Sequence, residues 1–144
     1  VSDDGASPPD LDALAEHALT ARTRAYAPYS CYKVGAAVLA GGEVFAGANC
    51  ENASYGASVC AERHAIAAAV FEGHRAIDAI AVATESSPPA SLCGICRQVL
   101  REFSGPDPSR VRVVLVNPAG ERKETTLGAL LPDSFGPDHL DGDE

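Results

Sequence analysis

Apolar positions along the chain follow two different periods, and the changes between them mark out the elements. Between Leu11 and Tyr26 they fall at Leu11, Leu14, Ala15, Ala18 and Leu19, the spacing of one helix face, and Pro28 then acts as a stop. Lys33 to Ala40 and Glu43 to Ala48 read as two strands joined across Gly41 and Gly42, residues that accept the positive φ of a tight hairpin. After a polar Asn49 to Asn52 stretch, the Ala-rich run Cys60 to Phe71, closed by Gly73, predicts a buried helix. Ile77 to Ala83 is strand-like. A Ser/Pro-rich loop from Glu85 to Ser91 leads to a second helix opened by a cysteine, Cys93 to Phe103, and a strand at Val111 to Val116. A last hairpin turns at Asn117 to Gly120, and a short helix covers Leu127 to Leu131.

This order predicts an α/β fold: a three-layer α/β/α sandwich around a mixed sheet of about five strands. The chain, residues 1–144, is read as one domain, with acidic ends at about 1–8 and 137–144 expected to fray.

Charge narrows the function. With 11 Lys and Arg against 20 Asp and Glu, and no basic stripe interleaved with aromatics, the chain lacks the cationic surface that nucleic acids require. No apolar run is long enough to span a bilayer, so a membrane partner is not expected either. The first ten residues lack the basic start and apolar middle of a secretory signal, which predicts a cytoplasmic protein. Five cysteines in such a chain favour metal binding or thiol chemistry over a disulfide framework.

The chemistry gathers at the starts of the two central helices, in Cys60-Ala61-Glu62 and Cys93-Gly94-Ile95-Cys96. Three thiolates around zinc leave a fourth position for water, the arrangement of a catalytic site. Helix starts favour thiolate over thiol through unpaired amides and the helix dipole. Cys93 and Cys96, one turn apart, can grip one ion, whereas Cys60 must project from its helix end if Glu62 is to lie beside the metal. Arg63 and Arg97 are placed to hydrogen-bond ligand sulfurs and offset their charge. Glu62, outside the ligand set, suits a proton shuttle.

These motifs, with Asn49-Cys50-Glu51-Asn52-Ala53-Ser54-Tyr55-Gly56 before them and Arg97-Gln98-Val99 after, resemble the small cytidine deaminases. Ala25 to Ser30, Val34 to Ala37 and Leu130 to Phe135 extend the likeness over Leu11 to Phe135. The resemblance implies one zinc ion per subunit on Cys60, Cys93 and Cys96, and a small-molecule nucleoside substrate. It also implies that Glu62 takes a proton from the attacking water, delivers it to ring N3 and assists the departure of ammonia. Cytidine and 2'-deoxycytidine would become uridine and 2'-deoxyuridine, a reaction of pyrimidine salvage. Asn49 and Glu51 would hold the ribose 3'-hydroxyl, the Ala61 amide the ring O2, and a carbonyl near Ser91 the leaving amine. Phe135 would complete a neighbouring subunit's site in a homotetramer. Tyr32 stands where the family usually has Phe against the substrate, and Leu92 where it usually has Pro, which bears on substrate range and loop geometry.

Other readings compete. A deaminase of a modified cytosine nucleoside such as blasticidin S shares the ligand cysteines and the glutamate. A structural zinc site would recruit Cys31 or Cys50 as fourth ligand, and His64 lies one turn from Cys60. Cys31 and Cys50 are otherwise read as packing residues, and Tyr26 and Tyr29 as core or subunit-contact aromatics. An editing deaminase would need a cationic groove, a zinc-stabilised interaction module would lack Glu62, and a thiol-disulfide oxidoreductase would bind no metal.

Overall fold

A computed structural model describes residues 9–140. The expected fraying at residues 1–8 and 141–144 lies outside the described residues. Helix α1 (Leu11–Arg22) is capped by Asp10, whose carboxylate accepts from the Ala13 amide. It stops short of Tyr26, because the Thr23 hydroxyl turns back to the Thr20 carbonyl and the Tyr26 amide pairs with Asn49. The hairpin β1 (Gly35–Ala40) and β2 (Glu43–Ala48) turns at Gly41 and Gly42, both at positive φ as their sequence predicts. Then come α2 (Ala61–Phe71), β3 (Ala79–Ala83), α3 (Gly94–Glu102), β4 (Arg112–Val116), β5 (Arg122–Thr126) and the short α4 (Leu127–Leu130).

The five strands form one sheet in the order β2-β1-β3-β4-β5. All neighbours are antiparallel except β3 and β4, which pair in parallel with α3 in their crossover. Side chains alternate between the two faces, as period two requires. Ala37, Ala79, Ala81, Ala83, Val114 and Val116 meet α1 on one face. Ala36, Val38, Ile80, Val82, Val113 and Leu115 form the other, with α2 and α3. Helices on both faces make the three-layer α/β/α sandwich. No helix among the described residues is long and apolar enough to cross a membrane.

Small residues let the layers approach closely. A Cβ at Gly35 would lie 2.1 Å from the Ala18 carbonyl oxygen and 2.4 Å from the Arg22 amide, both rigid backbone of α1. Gly35→Ala is therefore expected to destabilise the fold by about 3 kcal/mol through overpacking. Gly56→Ala, where a Cβ meets nothing within 4 Å, is the matched control and should stay within about 0.5 kcal/mol of the parent. Urea midpoints of the two variants check this, and equal midpoints would contradict it.

Strand β5 lies at a sheet edge and carries a lattice of charge. Arg122 binds Glu124 and, across to α1, Asp12, while Arg112 on β4 reaches Glu124 at 3.1 Å. At the C-terminal end, residues 137–140 of the segment expected to fray carry specific contacts. Pro137–His139 forms a 3-10 turn, tied down by the buried Arg101 guanidinium, which donates to Asp138 at 2.8 Å and to the Ser134 hydroxyl at 2.8 Å. A buried cation needs acceptors, and Asp138 and Ser134 supply them to Arg101.

Candidate metal centre and active site

The metal ligands are set by how α2 and α3 begin. Cys60 and Cys93 are the N-cap residues, in extended backbone, so each side chain leaves the helix end instead of following its surface. Cys96 lies inside the first turn of α3 and is fully buried. The three sulfurs lie within 4.8 Å of one another, and those of Cys93 and Cys96 are 3.5 Å apart. Tetrahedral zinc with Zn–S bonds near ~2.3 Å separates sulfurs by about 3.8 Å, so the donor set fits a zinc ion.

Charge at the cluster is managed locally. Cys60 ionises well below the usual thiol range, chiefly because Cys96 donates to its sulfur and because the Arg63 guanidinium, at 3.5 Å, adds a hydrogen bond and a positive charge. Cys96 moves the other way, as the donor to Cys60 and through burial. Arg63 also holds the Ser58 carbonyl at 3.3 Å. Arg97, expected on a ligand sulfur, instead donates to the carbonyls of Leu92 at 2.8 Å and Leu130 at 2.7 Å and lies 3.4 Å from the Ser91 hydroxyl. Unpaired carbonyls are better acceptors than a thiol, and they draw the guanidinium away from the metal site.

Glu62, only 5 % exposed, stands beside this cluster. Burial pushes its carboxyl up to about 7, and the neighbouring Cys60 thiolate adds to the shift. A carboxyl in that range can both take and give a proton near neutral pH.

A cleft of about 290 Å³ opens over these groups, lined among others by Tyr32, Asn49, Glu51, Cys60, Ala61, Glu62, Ser91 and Cys93. Ala61 opens α2, so its amide has no intrahelical acceptor. Ser30, Val34, Val82, Thr84 and Ala90 complete the walls, and none was singled out as a site residue in the sequence, since a small residue lining a cleft looks like any packing residue. A larger cavity of about 600 Å³ between α1 and β2 holds none of the three sulfurs. Chemistry, not size, selects the smaller one.

Asn49 and Glu51 also serve the loop before β1. The Asn49 amide accepts from the Val34 amide and donates to the Tyr32 carbonyl, each at 2.9 Å. Glu51 accepts from the amides of Tyr29 and Ser30 and from the Ser30 hydroxyl, and its hydrogen bonds to Ser30, above all, hold its carboxyl below the ordinary value. Phe135 is not among the residues lining the cleft. It is 55 % exposed, its ring stacks on His139, and its carbonyl accepts from Gln98 of α3.

Residues proposed as a fourth ligand are elsewhere. Cys31 and Cys50 are exposed rather than packed, and among the described residues the candidate metal cluster contains neither. His64 instead turns its Nδ1 toward the backbone of Ala48. Tyr26 and Tyr29 are more than half exposed, which leaves the subunit-contact half of their reading and not the core half.

Three thiols placed to hold one metal ion, with an acid outside the ligand set at their side, are the donor arrangement of a metal-assisted hydrolase. Comparison with known proteins narrows this class. Residues 9–114 match the family model described as the cytidine and deoxycytidylate deaminase zinc-binding region. The chain is 46% identical to the cytidine deaminase of Halalkalibacterium halodurans over 127 residues, covering 88% of this chain and 94% of that one. It superposes on the crystal structure of cytidine deaminase from Burkholderia pseudomallei with a TM-score of 0.80 and 49% identity, covering 86% of this chain and 98% of that one. For the Mycobacterium tuberculosis enzyme the TM-score is 0.77 at 38% identity, with 90% and 99% covered. The chain belongs to the cytidine deaminase family.

Proposed function

We propose that this chain hydrolyses the exocyclic amine of cytidine and 2'-deoxycytidine, releasing ammonia and the uracil nucleosides, and so serves pyrimidine salvage. The observation that carries the reading is the buried Glu62, outside the cluster of Cys60, Cys93 and Cys96 sulfurs, lining with Cys60 and Cys93 a cleft of about 290 Å³. Zinc held by those sulfurs supplies the Lewis acidity that makes water a nucleophile near neutral pH. Glu62 accepts a proton from the attacking water and passes it to ring N3 while the water oxygen bonds to C4. It then moves the remaining hydroxyl proton to the amine, the C4–N bond breaks, and the C4 carbonyl of uracil forms.

The rest of the cleft orients the ring. The free amide at the start of α2, on Ala61, suits the ring O2, and the loop carbonyl near Ser91 suits the departing amine. Asn49 and Glu51, fixed by their bonds to the 29–34 loop, suit the ribose 3'-hydroxyl. Glu51 uses three of its roughly four acceptor positions on that loop, leaving one toward the cleft. Arg63 and Arg97 act as supports, the first on the Cys60 sulfur and the second on the carbonyls around the Cys93 loop. Exposed Phe135, held on α3 through Gln98, is presented where a second copy of the chain can meet it, which supports a homotetramer with shared sites.

The test is loss of cytosine absorbance with cytidine, 2'-deoxycytidine, free cytosine and blasticidin S as substrates. Turnover of both nucleosides, with free cytosine lower by at least about a hundredfold in kcat/KM, is expected if sugar contacts contribute near 3 kcal/mol. Turnover of blasticidin S alone would overturn the reading in favour of a modified nucleoside.

A further inference from the structure

We infer that Tyr32, Ser86 and Asn117 form a latch that fixes one wall of the cleft and so sets how tightly the nucleoside is held. This rests on the nucleoside reading above. The wall in question is the loop from Thr84 to Leu92, which joins β3 to α3 and brings Ala90, Ser91 and Cys93 to the cleft. A loop this rich in Ser and Pro needs tertiary bonds to keep one shape, and this one is held at both ends of a single residue.

Ser86 is gripped from two directions. Its hydroxyl bonds to the Tyr32 hydroxyl at 2.5 Å, and its carbonyl accepts from the Asn117 side-chain amide at 3.0 Å. Tyr32 also lines the cleft, with Ser30 and Val34 of the segment before β1, so the first bond ties the 84–92 loop to a second segment of the lining. Asn117 supplies the fixed end. It follows β4 directly, is 2 % exposed, and uses its whole amide: Nδ2 also donates to Glu121 at 2.6 Å, and Oδ1 accepts from the Glu121 amide at 2.9 Å. Glu121 in turn accepts from the Ser87 hydroxyl at 2.5 Å, a second bond to the same loop. Next to this anchor the Thr84 amide donates to the Val116 carbonyl at 3.1 Å, extending the β3–β4 pairing into the loop. The Thr84 hydroxyl accepts from the Ala90 amide at 3.2 Å and closes the loop on itself.

None of these groups reaches the sulfurs or Glu62 in the contacts above, so Tyr32, through its hydroxyl, and Asn117 are positioning residues. Their effect belongs in binding rather than in the chemical step. A phenol without its hydroxyl keeps the ring in the wall but lets the loop part from it.

The experiment compares Tyr32→Phe, Ser86→Ala and the double variant in the zinc-loaded protein, reading cytidine kinetics together with amide hydrogen exchange over Thr84–Leu92. Each single change is expected to raise KM roughly three- to tenfold, as loss of one part-buried hydrogen bond does, with kcat within about twofold. The double variant should do no worse than either single one, because both remove the same bond. Exchange in the loop should quicken in all three while zinc content and Tm hold. Multiplied effects in the double variant, a loss confined to kcat, or unchanged exchange would each overturn the latch. Should the parent protein turn over no cytidine, the nucleoside reading fails by itself, and the exchange data alone decide the latch. Asn117→Ser tests the anchor, and its exchange should quicken in the same loop.

Discussion

Replacing Glu62 with Gln is expected to lower kcat for cytidine by roughly 10³-fold while zinc stays bound and KM changes little, because general acid–base catalysis typically contributes 10²- to 10⁴-fold. The substitution preserves shape and hydrogen-bonding reach, and the side chain sits beside the ligands rather than among them, so the sulfurs are not disturbed. What is lost is the ability to accept a proton. Burial has already brought the carboxyl to about 7, where its two protonation states are close in energy. An amide in that position has only one. Absorbance assays beside zinc analysis of the same preparation check the result. A variant that keeps zinc and retains more than about a tenth of the parent kcat would remove Glu62 from the proton path.

The second large effect concerns the metal. Cys93→Ser should abolish stable zinc binding and bring turnover to background. Cys93 is a better choice than Cys96, since it is exposed and caps α3. Serine is itself a favoured N-cap residue, so a loss of stability in this variant cannot be assigned to the helix start. Zinc that binds only the folded chain stabilises it by about 4 kcal/mol at a thousandfold excess over Kd, which is a Tm difference of roughly 10 °C for a domain of this size. Parent and variant should therefore melt about 10 °C apart with zinc and together in chelator. Equal Tm values in zinc, or activity surviving the substitution, would show that the ion sits elsewhere.

Much of the site is legible in the amino-acid sequence. Two cysteine motifs at helix starts, one carrying a glutamate, specify their own geometry, because an N-cap side chain points off the helix end and the next turn lies within reach. The hairpin is equally plain, since paired glycines between alternating runs leave few options for the backbone. Local pattern misleads where distant partners decide. Helix α1 ends early because Asn49 claims the Tyr26 amide, and Arg97 is drawn to a carbonyl on Leu130. The Tyr32, Ser86 and Asn117 contacts join residues 54 and 31 positions apart, with nothing nearby in the chain to announce them. Asp138 looks like one more acidic surface residue in the sequence, yet it pairs with a buried arginine on α3.

The two rims of the sheet have different prospects in concentrated solution. Along β5, Arg122, Lys123 and Glu124 present three consecutive charged side chains to any strand that tries to add itself, and Asp12 and Arg112 hold two of them in place. The rim at β2 is guarded less, with only Glu43 charged, paired with His74, ahead of Val44, Phe45 and three small residues. Runaway fibre growth needs both rims to be sticky, so a chain with one sealed rim can stack pairwise at most. Neutralising Arg122 and Glu124 together would therefore trade colloidal robustness, not catalytic power.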